Sequence, residues 1–416
     1  MQADWFMYPL LFLSLYFEVF VLLSFLEGWR APKASHTQDA LPSVTVFVPC
    51  YNEEHTVART IDSLLALDYP KELLAVFAIN DGSTDGTAAV LARYAGHPQV
   101  TVFEKENGGK HTALNLGLAH ATTEIVGCLD ADSFVAPDAL REMARCFADP
   151  TVMSATPAIK VHEPKGVVAR VQHAEYAMSA FVRRTFAWLE ALFITPGPFS
   201  LFRREVFLKL GPYRSAYNTE DMEVALRMQR EGMRIENVPT AHVFTTAPST
   251  YASLYRQRVR WTYGFLKNAR DYRDMFLNPR YGTLGMFILP LGLFTVFPSI
   301  FLMAFSVADA AGNAVDAARR ISVVGFSAPH FSLDWFYLDT RAIVFLMLAI
   351  IVLATVTIAI GRKLMGERHA LHPNVVLYLL LYGFMAPFWL ARASYNVIAS
   401  RERTWSSEID ARRKRD

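Results

Sequence analysis

The pattern of apolar and polar positions changes character three times along the chain. Residues 8–28 form a nearly unbroken apolar run with Glu18 as its one charged interruption before Glu27, long enough as a helix to cross a hydrocarbon layer of roughly 30 Å. From residue 43 to about 245, apolar β-rich runs at 44–48, 74–79, 100–103 and 125–129 alternate with stretches of helical period near 55–67, 86–95, 110–121 and 136–147. That alternation predicts β-α-β units and a parallel sheet covered on both faces. Three further apolar segments, 282–307, 341–361 and 374–396, are each of spanning length.

Two amphipathic stretches precede these segments. In 167–193, Val167, Val171, Met178, Phe181, Phe186, Leu189 and Phe193 oppose Arg170, Glu175, Arg183 and Arg184. In 251–276, Tyr, Trp and Phe interleave with Arg256, Arg258, Arg260, Lys267, Arg270 and Arg273. Both patterns fit helices in the headgroup plane; the first fits equally well a helix on the surface of a soluble domain. The expected organisation is an anchor over 1–40, an α/β domain over 41–250 that includes the helix at 167–193, an interface helix over 251–280, spans over 281–400 and a basic tail over 401–416.

Composition agrees with a membrane protein. Of 416 residues, 52% are hydrophobic, with 30 Phe, 17 Tyr and 7 Trp, and mean hydropathy is +0.20. The net charge of +2 excludes no class by itself, and no nucleic-acid partner is expected. Three cysteines, Cys50, Cys128 and Cys146, show no metal-ligand spacing and argue for a reducing compartment. No small-residue cleavage site follows the first run, which therefore reads as a retained anchor. Arg30 and Lys33 place the next domain in the cytoplasm by the positive-inside tendency, at the plasma (inner) membrane. Four spans would then leave the tail outside, although it holds Arg401, Arg403, Arg412, Arg413, Lys414 and Arg415. Either one segment does not span, 374–396 with Gly383 and Pro387 being the favoured one, or the charge rule does not hold here.

Candidate chemistry gathers where the strands end, as ligands of such sheets do. The first strand ends in VPCYNEE (48–54), where Pro49 is expected to stop ladder pairing; its acids also suit an ordinary helix start. The second ends in INDGSTDGT (79–87), where Asp81 is placed to hold a base or ribose, or simply belongs to a turn. In ENGGKHTALNLG (106–117), a glycine pair and Lys110 at a helix start suit a phosphate, without the spacing of a P-loop. GCLDADSF (127–134) sets Asp130 and Asp132 one residue apart. Like charges so close raise each other's pKa unless a cation neutralises them, and Mg²⁺ or Mn²⁺ shared with a diphosphate is such a cation. In YNTEDMEVALRMQREG (217–232), Asn218 or Thr219 is expected to cap a helix beginning with Glu220 and Asp221 and ended by Gly232; Asp221 is a candidate general base. In RQRVRW (256–261), Gln257, Arg260 and Trp261 share one helical face, as a donor fork with a sugar platform or as an aromatic membrane collar.

The ordered set PCYNEE, NDGSTDGT, NGGKHTALNLG, DAD, TED and QRVRW, flanked by apolar segments, resembles the family 2 membrane glycosyltransferases. Within them it looks most like the processive poly-N-acetylglucosamine, hyaluronan, chitin and cellulose synthases. The resemblance covers roughly residues 42–275. It implies a GT-A fold, an α/β domain with a Rossmann-like, mostly parallel sheet beside α-helical transmembrane segments, inversion at the anomeric carbon and a UDP-sugar donor, with UDP-N-acetylglucosamine favoured. Pro49, Tyr51, Glu53, Asp81, Lys110 and Asp130 would face the donor nucleotide. Asp132 and Asp130 would hold Mg²⁺ or Mn²⁺, Asp132 more directly. Asp221, with Glu220 beside it, would deprotonate the acceptor, a growing glycan or a lipid-linked sugar. Gln257, Arg260 and Trp261 would bind the diphosphate and place the acceptor, and the spans would carry the polymer through the bilayer. Two stretches depart from the pattern. The acceptor-side segment reads TPGPFSLFRR (195–204), where Gly197 still permits close approach of a sugar, and QRVRW is followed by Thr262-Tyr263-Gly264.

Overall fold

The computed structural model of the chain describes residues 4–30, 41–325, 342–369 and 372–399; Lys33 and the basic tail lie outside the described residues. Helix α1 (Asp4–Arg30) leads into strand β1 (Val44–Cys50), helix α2 (Val57–Leu65), β2 (Leu74–Asp81), α3 (Thr87–Ala92), β3 (Val100–Lys105), α4 (Lys110–His120) and β4 (Ile125–Cys128). Each β-α-β unit lies where the apolar period predicts it. The chain continues through β5 (Ser133–Val135), α5 (Ala139–Ala144), β6 (Val152–Val161), α6 (Gly166–Trp188), β7 (Ser200–Arg203), α7 (Arg204–Leu210), α8 (Glu220–Arg230), β8 (Arg234–Thr245) and α9 (Tyr251–Asp271).

The strands form one sheet in the order β3-β2-β1-β4-β7-β6-β8-β5. Its first four strands are parallel, as expected. The second half is mixed, which leaves the sheet mostly parallel as expected: β7 runs antiparallel to both β4 and β6, and β5 antiparallel to β8, while β6 and β8 are parallel. Period identifies a strand, but its neighbour is a long-range choice. Pro49 also departs from expectation, since β1 continues to Cys50 with Pro49 beside Ile79. The Phe47 carbonyl accepts from the Leu129 amide at 2.9 Å, so odd-numbered residues of β1 turn their hydrogen-bonding groups toward β4. The β4 ladder ends at Cys128 opposite Phe47, so the missing N–H of Pro49 leaves no partner stranded.

Strand alternation builds two cores. Val44, Val46 and Val48 pack with Val57, Ile61 and Leu64 of α2 and with Leu140 and Met143 of α5. Phe47 and Ile79 face the other way, onto Ala113 and Leu114 of α4 and Met222 and Leu226 of α8. That second core also takes in Val21 and Phe25 of α1 and Phe181 of α6. The sheet domain and the apolar helices therefore share buried surface, each large side chain contributing about 1.5–3 kcal/mol.

A π-helical turn (Leu284–Ile288), α10 (Leu289–Phe294), α11 (Val296–Val324), α12 (Ala342–Leu364) and α13 (Pro373–Ile398) complete the described chain. Among the described residues, four helical stretches are long and apolar enough to cross a membrane: Met7–Arg30, Leu284–Val324, Ala342–Leu364 and Pro373–Ile398. Helix α13 runs unbroken through Gly383 and Pro387. Helix α6 ends at Trp188, short of 193, and packs against β6, β8, α1, α12 and α13. Its supposed outward face is enclosed toward its C-terminal half: Arg183 is buried, and Arg184 pairs with Glu236 of β8.

Candidate active site

The loops after β1 and β2 interlock. Asn52, in the left-handed region at φ +57°, accepts the Thr84 amide at 2.8 Å through Oδ1. The Glu53 amide donates to Thr87 Oγ1 at 2.8 Å, and Glu54 Oε2 accepts the Gly86 amide at 2.7 Å. Glu53 Oε2 accepts from Thr56 Oγ1 at 2.6 Å. The acids of PCYNEE thus tie one strand-end loop to the next, with Tyr51 half-buried between β1 and this loop. Asp81 is 2% exposed. Its carboxylate pairs with Lys105 and accepts the amides of Gly108 at 3.0 Å and Gly109 at 2.9 Å, pinning the turn from which α4 starts. Lys105 was not legible as a site residue: only the parallel register sets it beside Asp81.

Lys110, first in α4, forms an ion pair with Asp130 at the end of β4. The cation facing Asp130 is therefore a side chain of this protein. Burial disfavours the Lys110 ammonium, but the carboxylate of Asp130 and the nearby Glu220 hold its pKa well above the ordinary lysine value. Gly197 closes over the pair: a Cβ there would lie 2.6 Å from Lys110 Nζ and 2.9 Å from Asp130 Oδ2, so any larger residue would push the ends of both side chains out of place. Asp132 Oδ1 accepts from Ser133 Oγ at 3.0 Å. Among the described residues no three His, Cys, Asp or Glu side chains converge on one point. The two carboxylates are hard oxygen ligands, and such a set fits a divalent ion that completes its shell with phosphate oxygens and water.

Glu220 and Asp221 open α8, where its N-terminal amides favour negative charge. The expected cap differs: Thr219 occupies the cap position, yet its hydroxyl donates to the Ala216 carbonyl at 2.8 Å and accepts from Asn268 Nδ2 at 3.0 Å. Before it, Ala216, Tyr217 and Asn218 are all left-handed, at φ +41°, +58° and +59°, a strained run of the kind found at functional sites. Arg260 holds it by donating to the Asn218 carbonyl at 2.9 Å. Thr195 donates its hydroxyl (2.8 Å) and amide (3.2 Å) to the Asp221 carbonyl, joining the Gly197 segment to α8. Burial raises the pKa of Asp221, against Lys110 and Arg260, which lower it; Glu220 is raised likewise by burial against Lys110.

Helix α9 brings in Gln257, Arg260 and Trp261. Gly264, in the departure from the expected motif, lets α9 press on α8: a Cβ there would lie 2.3 Å from Thr219 Oγ1. Gln257 Oε1 accepts from Gln172 Nε2 of α6 at 3.4 Å, a weak bond. The structure thus brings Lys110, Asp130, Glu220, Asp221 and Arg260 into one electrostatically coupled group, with Gly197 packed against the Lys110–Asp130 pair. Asp81 and Glu53 serve the surrounding loops. Thr195, Gly264 and Asn268 carried no recognisable signal, since each acts through packing or a single backbone contact.

Residues 45–211 match the model of glycosyl transferase family 2. Poly-beta-1,6-N-acetyl-D-glucosamine synthase of Staphylococcus aureus is 33% identical over 229 residues, covering 54% of this chain and 55% of that protein. The Staphylococcus epidermidis enzyme of the same name is 31% identical over 235 residues, 56% of each. The chain spans just over half the length of these curated relatives. Among solved structures, the mannosyltransferase PcManGT from Pyrobaculum calidifontis, in complex with GDP-Man and Mn²⁺, superposes with a TM-score of 0.63 at 23% identity, covering 95% of this chain and 99% of that one. That likeness shows the shared fold.

Proposed function

With a family 2 glycosyltransferase domain at residues 45–211 as the premise, we propose that this protein is a processive, inverting glycosyltransferase. It takes a UDP-sugar, UDP-N-acetylglucosamine by preference, and extends a β-linked polysaccharide that passes through the membrane. The observation that carries the reading is the convergence of Lys110, Asp130, Gly197, Asp221 and Arg260, from separate elements, at the strand ends of a GT-A-like sheet. The staphylococcal relatives support both the polymer and the sugar.

In this reading the nucleotide lies along the loops after β1 and β2, with Pro49, Tyr51 and Glu53 beside it and Asp81 toward the uridine. Lys110 and Arg260 face the diphosphate as fixed cations, where charge develops on the leaving group. Asp130 and Asp132 would hold Mg²⁺ or Mn²⁺, which when bound offsets diphosphate charge. Asp221 takes the proton of the acceptor hydroxyl as that oxygen bonds to the anomeric carbon, and Glu220 keeps the local field negative. Attack from the face opposite the leaving diphosphate inverts the centre. Gln257 and Trp261 place the acceptor sugar, and Gly197 leaves room for its approach.

The test uses full-length protein in detergent with Mn²⁺ or Mg²⁺ and a panel of UDP-sugars plus GDP-mannose, following nucleotide release and product size. Release with one UDP-sugar and a high-molecular-weight product is the expected result. Release that stops after one addition, or that requires a lipid-linked acceptor, assigns a single-addition transferase instead.

A further inference from the structure

Arg258 lies between two residues of the QRVRW motif and faces inward. It is 4% exposed, and its guanidinium sits 4.2 Å from the centroid of the Trp261 ring, one turn further along α9. The same guanidinium pairs with Glu175 of α6, and Glu175 Oε1 accepts from the Tyr382 hydroxyl of α13 at 3.2 Å. One carboxylate therefore gathers an arginine from the motif helix and a tyrosine from an apolar helix of spanning length. The amphipathic pattern set Glu175 and Arg258 on polar, outward faces; the fold turns them toward each other.

We infer that Glu175, Arg258 and Tyr382 are positioning residues that set the plane of the Trp261 indole as the acceptor platform and link that plane to the seating of α13. A guanidinium stacked on one face of an indole restricts its rotation by a cation–π contact and leaves the opposite face for a sugar ring. An apolar side chain at 258 would fill the same space without the desolvation cost of a buried ion pair, but would not orient the ring through a fixed charge. Glu175 of α6 holds the guanidinium and Tyr382 of α13 holds Glu175, so a shift of α13 tilts the platform. The donor loops contain none of these three residues. The inference rests on the transferase reading above and concerns only its acceptor side.

The test compares full-length wild type with Tyr382→Phe, Glu175→Gln and the exchanged pair Glu175→Arg with Arg258→Glu. UDP affinity is read by calorimetry, together with thermal midpoint, polymer length and the division of UDP release between chain extension and hydrolysis. In Glu175→Gln, UDP affinity should stay within about twofold while extension falls about tenfold and hydrolysis takes a larger share; Tyr382→Phe should move the same way by less. The exchanged pair should recover the thermal midpoint but keep the short product, because charge balance returns without a cation on the indole. Wild-type product length in the exchanged pair overturns the inference, leaving only a structural ion pair, as does wild-type extension in both single variants. Wild-type protein that turns over no donor overturns the transferase reading, and this inference with it.

Discussion

Asp221 sits in a field that pulls two ways. Burial raises its pKa, while Lys110 and Arg260 pull it down without cancelling the rise. It must be ionised to accept a proton, so transfer should fall as pH drops through a value above the ordinary aspartate pKa of about 3.9. In Lys110→Gln, measured at saturating donor, the loss of a nearby cation should move that acid limb to higher pH. Asp221→Asn should lower turnover by roughly 100- to 10,000-fold with UDP affinity nearly unchanged by calorimetry; lost UDP binding would move Asp221 out of the base role. Asp132→Ala should weaken Mn²⁺ binding in the presence of UDP by at least about tenfold, read directly by electron paramagnetic resonance. Unchanged Mn²⁺ affinity would take the ion away from this pair.

The meeting of α8 and α9 is the element-level contact on which the site depends. Thr219, just before the acidic pair, has Asn268 on its hydroxyl and Gly264 against its side chain, while Arg260 grips the left-handed run ahead of it. Gly264→Val puts methyl groups where Thr219 stands. Overpacking of this kind costs about 1–3 kcal/mol, so the thermal midpoint should fall. Turnover should fall further than UDP affinity, since α8 and not the nucleotide loops is displaced. Equal losses in both would mean that the whole domain has loosened.

The largest-scale feature is a core shared by the sheet domain and the apolar helices. Phe25 of α1 is 4% exposed, with its ring centroid 4.9 Å from that of Phe181 and 5.2 Å from that of Trp188. Helix α6 carries both partners and packs on the sheet as well as on α12 and α13. Phe25→Ala should therefore destabilise more than the anchor, by about 3 kcal/mol, seen as a lower thermal midpoint for loss of UDP binding in micelles. An unchanged midpoint would show that α1 is seated independently of the domain.

The chain by itself determined its elements and singled out most residues of the candidate site. Period-2 and period-3.6 patterns located the first four strands and their helices, hydropathy located the four apolar stretches, turn chemistry at the strand ends singled out Asp81, Lys110 and Asp130, and the acidic start of a capped helix singled out Asp221. These are local signals, set by spacing along the chain. Tertiary structure alone decided which groups meet. Register set Lys105 beside Asp81, packing turned Glu175 of α6 and Arg258 of α9 toward each other, and the antiparallel entry of β7 carried the Gly197 segment onto the Lys110–Asp130 pair. Each of these depends on contacts between residues far apart in sequence. Such contacts follow from the burial of whole surfaces against one another, a property that no single stretch of sequence contains.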